Sequence, residues 1–198
     1  MQVTRDNIAA MIETMMKAAR VNREKCGYSE EKESFMPVAI ILAEDGKIQV
    51  APTPHSDNEE KATVMQAVSD YAAKVHSPLV VLVSDTRICK PPEFCRVYGI
   101  PESVMKDKDA FPEAYTEVIR RHGGSLGNCH PSTWHDALMV VSKSPLMPIQ
   151  MRNLLYKEGV GDTIIWEKEE VIEHGDGSNE LYLEMLPDWW EEVPATIN

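Results

Sequence analysis

The sequence predicts an α+β or three-layer α/β fold, in which helices pack on one mixed β-sheet. Three observations indicate this class: an amphipathic N-terminal segment, two stretches with the form of β-hairpins, and a β-branched run from Leu79 to Val83. The chain has 198 residues, of which 43% are hydrophobic. A chain of this length buries enough surface for one core, so residues 1–198 are expected to form a single globular domain.

The first predicted element is a helix over residues 4–22. Thr4 is the expected N-cap, Val3 and Ile8 form a hydrophobic staple around it, and Gly27 closes the segment. Apolar side chains recur at three- and four-residue spacing, which favours core packing over a methionine-rich binding face. They are Ile8, Met11, Ile12, Met15, Met16 and Ala19.

A β-hairpin is predicted next, from residues 37–43 and 48–50 joined by the turn pair Asp45-Gly46. A second helix is expected from Ser56, with Glu59 at capping-box spacing, as far as Ser77. The run from 79 to 83 then has the composition of a strand buried on both faces.

Residues 86–108 contain three prolines and show no sustained hydrophobic period, so they are expected to form a long irregular loop. A loop of this length in a compact domain indicates a functional segment. A helix over 109–122 and a short strand over 137–141 follow. A second hairpin is predicted from residues 149–156 and 163–170, and one more strand at 181–185.

Charge and composition exclude several classes of function. There are 32 Asp and Glu against 20 Lys and Arg, a net charge of -12, so DNA or RNA is not expected as a direct ligand. No apolar run approaches the ~20 residues that cross a bilayer, and no export signal is recognisable, so a cytoplasmic location without membrane attachment is expected. The four cysteines are then expected as thiols. No phosphate-binding loop or other cofactor motif occurs, so no cofactor is expected.

Residues 38–50, 80–85 and 134–141 carry a strand pattern that resembles uncharacterised small α/β proteins encoded in bacterial and phage genomes. The resemblance covers about half of the chain. It implies an α/β fold and transfers no catalytic residue.

A metal site is the first chemical alternative. Cys89, Cys95, Cys129 and His130 are ligand types that zinc prefers, with His135 nearby, but their spacing lacks the paired knuckles of structural zinc sites. The pair His130-Pro131 is similar to part of the JAB/MPN metal-dependent isopeptidase motif. Asn128 stands where that motif needs a second histidine, so no metal role is carried over.

Polar side chains at predicted strand ends are the second alternative. Asp85 and Arg87 follow one strand and Lys143 follows another, with His135 between them in sequence. If the two strands are parallel neighbours, these groups converge and could bind an anionic small molecule, with Asp85 or His135 as general base. The competing interpretation is that such residues simply terminate strands.

Charge is distributed most unevenly at the acidic, aromatic C-terminal part, residues 151–198. This part contains twelve Asp and Glu but only three Lys and Arg. Its end carries Trp189, Trp190, Glu191 and Glu192, a composition suited to anchoring a basic protein partner or a second copy of the chain. The alternative is that the tryptophans fold back onto the sheet while the carboxylates are solvated.

The sequence thus favours a non-catalytic binding or interaction protein that uses this C-terminal surface. The main alternative is a small enzyme or metal-dependent hydrolase at Asp85, Arg87, His135 and Lys143. A third hypothesis, an acidic mimic of nucleic acid, requires carboxylates spaced like phosphates.

Overall fold

The part of the chain that the structure describes forms a six-stranded antiparallel sheet with helices on both faces, in the strand order β2-β1-β3-β4-β5-β6. The structure is a computed structural model and describes residues 4–28, 35–54, 58–173 and 189–190. The strands are β1 (Val38–Leu42), β2 (Ile48–Pro52), β3 (Leu79–Cys89), β4 (Trp134–Ser144), β5 (Met147–Glu158) and β6 (Ile164–Glu173). The helices are α1 (Arg5–Cys26), α2 (Asn58–Lys74), α3 (Pro91–Tyr98), α4 (Glu102–Met105) and α5 (Ala110–Arg121). The predicted α+β class is confirmed, whereas the sheet is antiparallel at every described pairing rather than mixed.

Helix α1 covers one face of the sheet. It starts after Thr4, whose side chain accepts a hydrogen bond from the Asn7 amide, as predicted, and it ends before Gly27, which has a positive φ of 74°. Its apolar stripe packs on the central strands, so the stripe is core. Val3, the expected staple residue, lies outside the described residues. The core on this face comprises Ile8, Ile12, Met15, Met16, Ala19, Leu42, Leu79, Val81, Val83, Leu138, Val140 and Leu154, with Phe35.

Helix α2 covers the opposite face. Met65, Val68 and Ala72 of this helix are buried with Ala39 and Val80 of the sheet. Side chains alternate between the two faces along each strand, so odd-numbered residues of β3 face α1 and even-numbered ones face α2. The predicted cap, Ser56, lies outside the described residues.

The predicted irregular loop over 86–108 is ordered secondary structure. Strand β3 continues to Cys89 because residues 84–89 pair with 134–139 of β4. Pro91 and Pro92 then occupy the first turn of α3, where a missing amide hydrogen costs nothing. Helices α3 and α5 pack through a separate small core on the α1 side of the sheet. Its members are Phe94, Leu126 and Cys129, flanked by Cys89, Tyr98, Ile100, Phe111, Tyr115, Val118, Ile119 and Trp134.

Both predicted hairpins are present. Strands β1 and β2 are joined across the Asp45-Gly46 turn, and β5 and β6 pair with a register shift near Leu154 and Tyr156. The predicted strand at 181–185 lies outside the described residues. Among the described residues no helix is long and apolar enough to cross a membrane.

Candidate functional site

The four polar residues predicted to converge at strand ends separate into two groups. Because β3 and β4 are antiparallel, Lys143 pairs with Val80 at one end of the strands while Asp85 pairs with Leu138 further along. The condition for a single cluster, parallel neighbouring strands, is therefore not met. Asp85 and Arg87 face the α1 side, whereas the alternation of β4 puts His135 and Lys143 on the α2 side.

His135 instead belongs to a small surface group on the α2 side. Its Nδ1 lies 3.7 Å from a carboxylate oxygen of Glu167, which also pairs with Lys157 at 2.8 Å. Burial, followed by the charge of Lys90, lowers the pKa of His135. This histidine is thus held away from Asp85 by the thickness of the sheet.

A cavity of about 470 Å³ opens on the α1 side, over β3 and β4 and beside α5. Charged side chains of the two strands form one part of its lining, and α5 with the segment that follows it forms the rest. The lining residues are Asp85, Thr86, Arg87, Tyr115, Ile119, Gly124, Ser125, Leu126, Gly127 and Asp136. We refer to this cavity as the cleft.

Asp85 is held by two side chains from other elements. The Tyr156 hydroxyl donates a hydrogen bond to its Oδ1, and Arg23 Nε lies 3.0 Å from its Oδ2. Burial raises the pKa of Asp85, and the hydrogen bond from Tyr156 and the charge of Arg23 oppose that rise only in part. Burial also raises the pKa of Tyr156, so this phenol stays protonated as a donor.

Asp136 is the second carboxylate of the cleft. The Tyr28 hydroxyl donates to its Oδ2 at 2.7 Å, and Arg87 Nε lies 3.6 Å from its Oδ1. Burial and this hydrogen bond raise the pKa of Tyr28 to about 12. The negative charge of Asp136 raises the pKa of Asp85 further, so the two carboxylates interact electrostatically.

Arg87 is fixed between an aromatic ring and a glycine. Its guanidinium carbon lies 4.7 Å from the centre of the Trp134 ring. A Cβ on Gly127 would lie 2.0 Å from Arg87 Nη1, so the backbone comes this close only because residue 127 is glycine. The Arg87 side chain remains 37% exposed.

Several residues of this site were missed in the sequence. Arg23 lies beyond the predicted end of α1, Tyr28 follows it, and Tyr156 reads as the end of a strand. No local pattern marks them, because their role comes from contacts with residues 62 to 133 positions away. Asp136 was not among the candidate residues either.

The proposed metal ligands do not form a metal site in the described part of the chain. Cys89 and Cys129 lie in the core between α3 and α5, and Cys95 is buried on α3. His130 is exposed, with Nδ1 2.8 Å from the Ser132 hydroxyl. Burial raises the pKa of Cys89 to about 12, which disfavours the thiolate that a metal requires. The described residues contain no group of three or more His, Cys, Asp or Glu arranged to hold a metal ion, and the four cysteines are free thiols.

The C-terminal tryptophans Trp189 and Trp190 fold back onto the sheet, as the alternative interpretation of the sequence expected. Trp189 is 8% exposed, packs in the α2 core and donates a hydrogen bond from its indole nitrogen to the Ser77 carbonyl at 2.8 Å. Trp190 is half-buried against it, with Lys143 Nζ 5.6 Å from its ring centre. Trp189 is therefore a core residue here. Glu191 and Glu192 lie outside the described residues.

No family model, curated protein or solved structure matches this chain. Function is therefore inferred from the chemistry of the described residues.

Proposed function

We propose that the protein is a small-molecule enzyme of the general acid–base class, with Asp85 as the group that transfers a proton in the cleft. The observation that supports this most is a partly exposed carboxyl, 28% accessible, whose pKa is raised by burial and which lines a cavity large enough for a metabolite. Carboxyl groups in this situation are typical of acid–base catalysts.

The neighbours of Asp85 have distinct roles in this proposal. Arg23 and Tyr156 position the carboxyl by occupying one side of each oxygen, which leaves further lone pairs on both oxygens to accept a proton from a ligand. Arg87, whose side chain is 37% exposed, contacts the ligand, and Asp136 holds Arg87 in place. The proton then moves between Asp85 and the bound ligand, with the phenols remaining protonated.

Ligand-observed NMR with a library of small polar metabolites tests the proposal, because one sample reports both binding and conversion over hours. We expect a ligand whose signals change with time and, in spectra of the ¹⁵N-labelled protein, amide shifts confined to residues 85–87, 124–127 and 136. Arg87→Met should abolish binding, whereas Arg121→Met, on the exposed end of α5, should not. A ligand that binds elsewhere, or that Arg87→Met still binds with unchanged affinity, would overturn the proposal.

A second candidate function is protein interaction through the acidic C-terminal part. It is supported by β6, the last strand in the described sheet, where Ile165 and Val171 are 45% and 50% exposed on a strand that also carries Glu167, Glu169 and Glu170. These glutamates pair with Lys157, Arg152 and Lys168 respectively, and these cations offset the negative charge of the carboxylates. Sedimentation velocity at two salt concentrations tests self-association. A wild-type dimer that is lost in the double variant Ile165→Ser with Trp190→Ala would support this function. A wild-type protein that stays monomeric at both salt concentrations would exclude self-association.

A further inference from the structure

Strand β2 forms an outer edge of the sheet, because within the described residues it pairs with β1 alone. At one end of this ladder the Ala43 amide donates to the Lys47 carbonyl at 2.8 Å, and at the other end the Thr53 amide donates to the Pro37 carbonyl at 2.8 Å. Hydrogen-bonded and non-bonded pairs alternate along an antiparallel ladder, so the odd-numbered residues of β2 are those that bond to β1. The even-numbered residues therefore direct their backbone polar groups outward.

The same even-numbered residues expose apolar side chains. Ile48 is 54% exposed and Val50 is 62% exposed. They pair with Leu42 and Ile40 of β1, which belong to the core under α1 or pack against it, so the exposed side chains lie on the α1 side of the sheet. Strand β2 contains no charged residue. An exposed, apolar and uncharged edge is a template for pairing with another strand.

The opposite edge of the described sheet differs in this respect. Five of the ten residues of β6 are charged, among them Glu167 and Glu169. Charged side chains on an edge strand hinder its pairing with a further strand. Of the two edges, β2 is therefore the one suited to strand pairing.

A second copy of β2 is complementary to this edge. Two β2 strands can run antiparallel about a twofold axis at Gln49, which sets Ile48 of one copy opposite Val50 of the other. Each outward amide and carbonyl of these two residues then meets a partner. Pro52, which has no amide hydrogen, lies beyond the paired residues. The exposed Ile48 and Val50 side chains cover each other on the α1 side as β-branched cross-strand pairs.

The charges beside β2 are compatible with this pairing. Lys47 would lie opposite Ala51 of the second copy and about 13 Å from its own counterpart, which is beyond the screening length of ~8 Å at physiological ionic strength. Lys47 also pairs with Asp45 at 2.5 Å, so this end of the strand carries no net charge. Each whole chain carries -12, so two copies repel at long range, and salt should strengthen their association.

We infer that the protein self-associates as a twofold dimer through β2, so that the sheet of one copy continues into the sheet of the other. A strand of five residues is about 17 Å long, and its pairing buries less than the ~800 Å² per partner of a standard interface. The dimer is therefore expected to be in equilibrium with the monomer. The inference does not depend on the proposed function, because the cleft lies over β3 and β4.

Sedimentation velocity of the full chain from about 1 µM to 1 mM tests the inference, since weak association falls in this range. We expect the wild-type protein to shift from monomer to dimer with concentration, and 0.5 M NaCl, about three times physiological ionic strength, to favour the dimer. Val50→Lys should weaken association at least about 10-fold, because it places a charge on the paired edge. Val160→Lys is the matched control, since Val160 is 95% exposed in the turn between β5 and β6. Both variants should keep the wild-type Tm.

Cysteine cross-linking tests the register. In Gln49→Cys the two new thiols would lie across the axis with about 4.5 Å between Cα atoms, a separation that a disulfide spans. Glutathione disulfide, which is reduced as the bond forms, should convert this variant to a covalent dimer. Lys47→Cys should not cross-link, although Lys47 is 78% exposed, because its counterpart is too far away. The wild-type chain shows whether its own thiols contribute.

The other outcomes overturn the inference. They are a wild-type protein that stays monomeric up to about 1 mM, a dimer that Val50→Lys retains, a dimer that salt dissociates, and equal cross-linking of the two cysteine variants. A dimer that is lost in Ile165→Ser with Trp190→Ala but kept in Val50→Lys would support the second candidate function instead.

Discussion

Arg23, in the last turn of α1, and Asp85, in the second half of β3, form an ion pair with 3.0 Å between Nε and Oδ2. The arginine side chain is only 7% exposed and also donates to the Tyr156 hydroxyl at 3.0 Å. This pair attaches the end of α1 to the sheet beside the cleft, and it connects the stability of the fold to the proposed chemistry.

Replacing Arg23 with methionine should destabilise the protein by about 3 kcal/mol, because the partly buried Asp85 then lacks its cation. Urea unfolding at pH 7 measures this difference. Lys47→Met is the matched control, since it breaks an exposed pair with Asp45 and should leave the unfolding free energy nearly unchanged. A loss no larger than that of the control would show that the pair contributes little.

The stability contributed by Asp85 should fall as pH rises. Burial raises the pKa of Asp85 in the folded state above its unfolded value of 3.8, so over that interval the folded protein retains a proton that the unfolded chain has lost. The difference in unfolding free energy between wild type and Asp85→Asn should therefore decrease from pH 3.5 upward and level off above the folded pKa.

The control for this pH dependence is Asp45→Asn, which should give a slope of opposite sign and smaller size, because its ion pair with Lys47 is exposed to solvent. The hydrogen bond from Lys47 lowers the pKa of Asp45, so its contribution is present above the unfolded pKa and is lost as pH falls. Urea titrations of both variants across the same buffers measure the two slopes. Slopes of the same sign would contradict the assignment.

Gly127→Ala should displace Arg87 while the fold is retained. The new methyl group would overlap Arg87 Nη1, and the flexible side chain can move away from Trp134 to accommodate it. We expect ligand affinity to fall at least about 10-fold with little change in Tm. At Gly124, where φ is 81° and no atom lies within 4 Å of an added Cβ, Ala should cost about 1 kcal/mol through the backbone and leave Arg87 in place.

Trp189→Ala should destabilise the protein by about 3 to 5 kcal/mol, because it removes a buried indole and leaves the Ser77 carbonyl without its donor. Trp190→Ala, at a half-buried position, should cost less than half as much. Thermal and urea unfolding measure both. Equal and small effects would indicate that Trp189 is available at the surface, as the interaction hypothesis requires.

Cys89 should react slowly with a thiol reagent such as 5,5′-dithiobis-(2-nitrobenzoate) at pH 8. Burial raises its pKa to about 12, so almost none of it is thiolate at that pH. Unfolding in urea should expose all four thiols to rapid reaction. Cys89→Ser should remove one slow-reacting thiol, and a fast native reaction lost in that variant would contradict the raised pKa.

The elements that the sequence predicted well are those defined by local patterns. The cap at Thr4 and the apolar stripe behind it define α1, and Asp45-Gly46 defines the first hairpin, because both signals act over a few residues. The extension of β3 through Arg87 was missed. The polar residues in this part of β3 have no strand pattern of their own, and they adopt a strand because they pair with β4. The proline pair at the start of α3 was interpreted as loop, because proline is typical both of turns and of the first turn of a helix.

The sequence by itself determined the α+β class, the composition of the two faces of the sheet, and Asp85 and Arg87 as candidate residues. The tertiary structure alone decided which partners these two have. The antiparallel pairing of β3 with β4 put His135 and Lys143 on the opposite face and set Asp136 beside Arg87. The end of α1 brought Arg23 and Tyr28 to the cleft. Hydrophobic periodicity specifies which face a residue occupies, whereas strand order and register specify its neighbours, and those depend on contacts far apart in the chain.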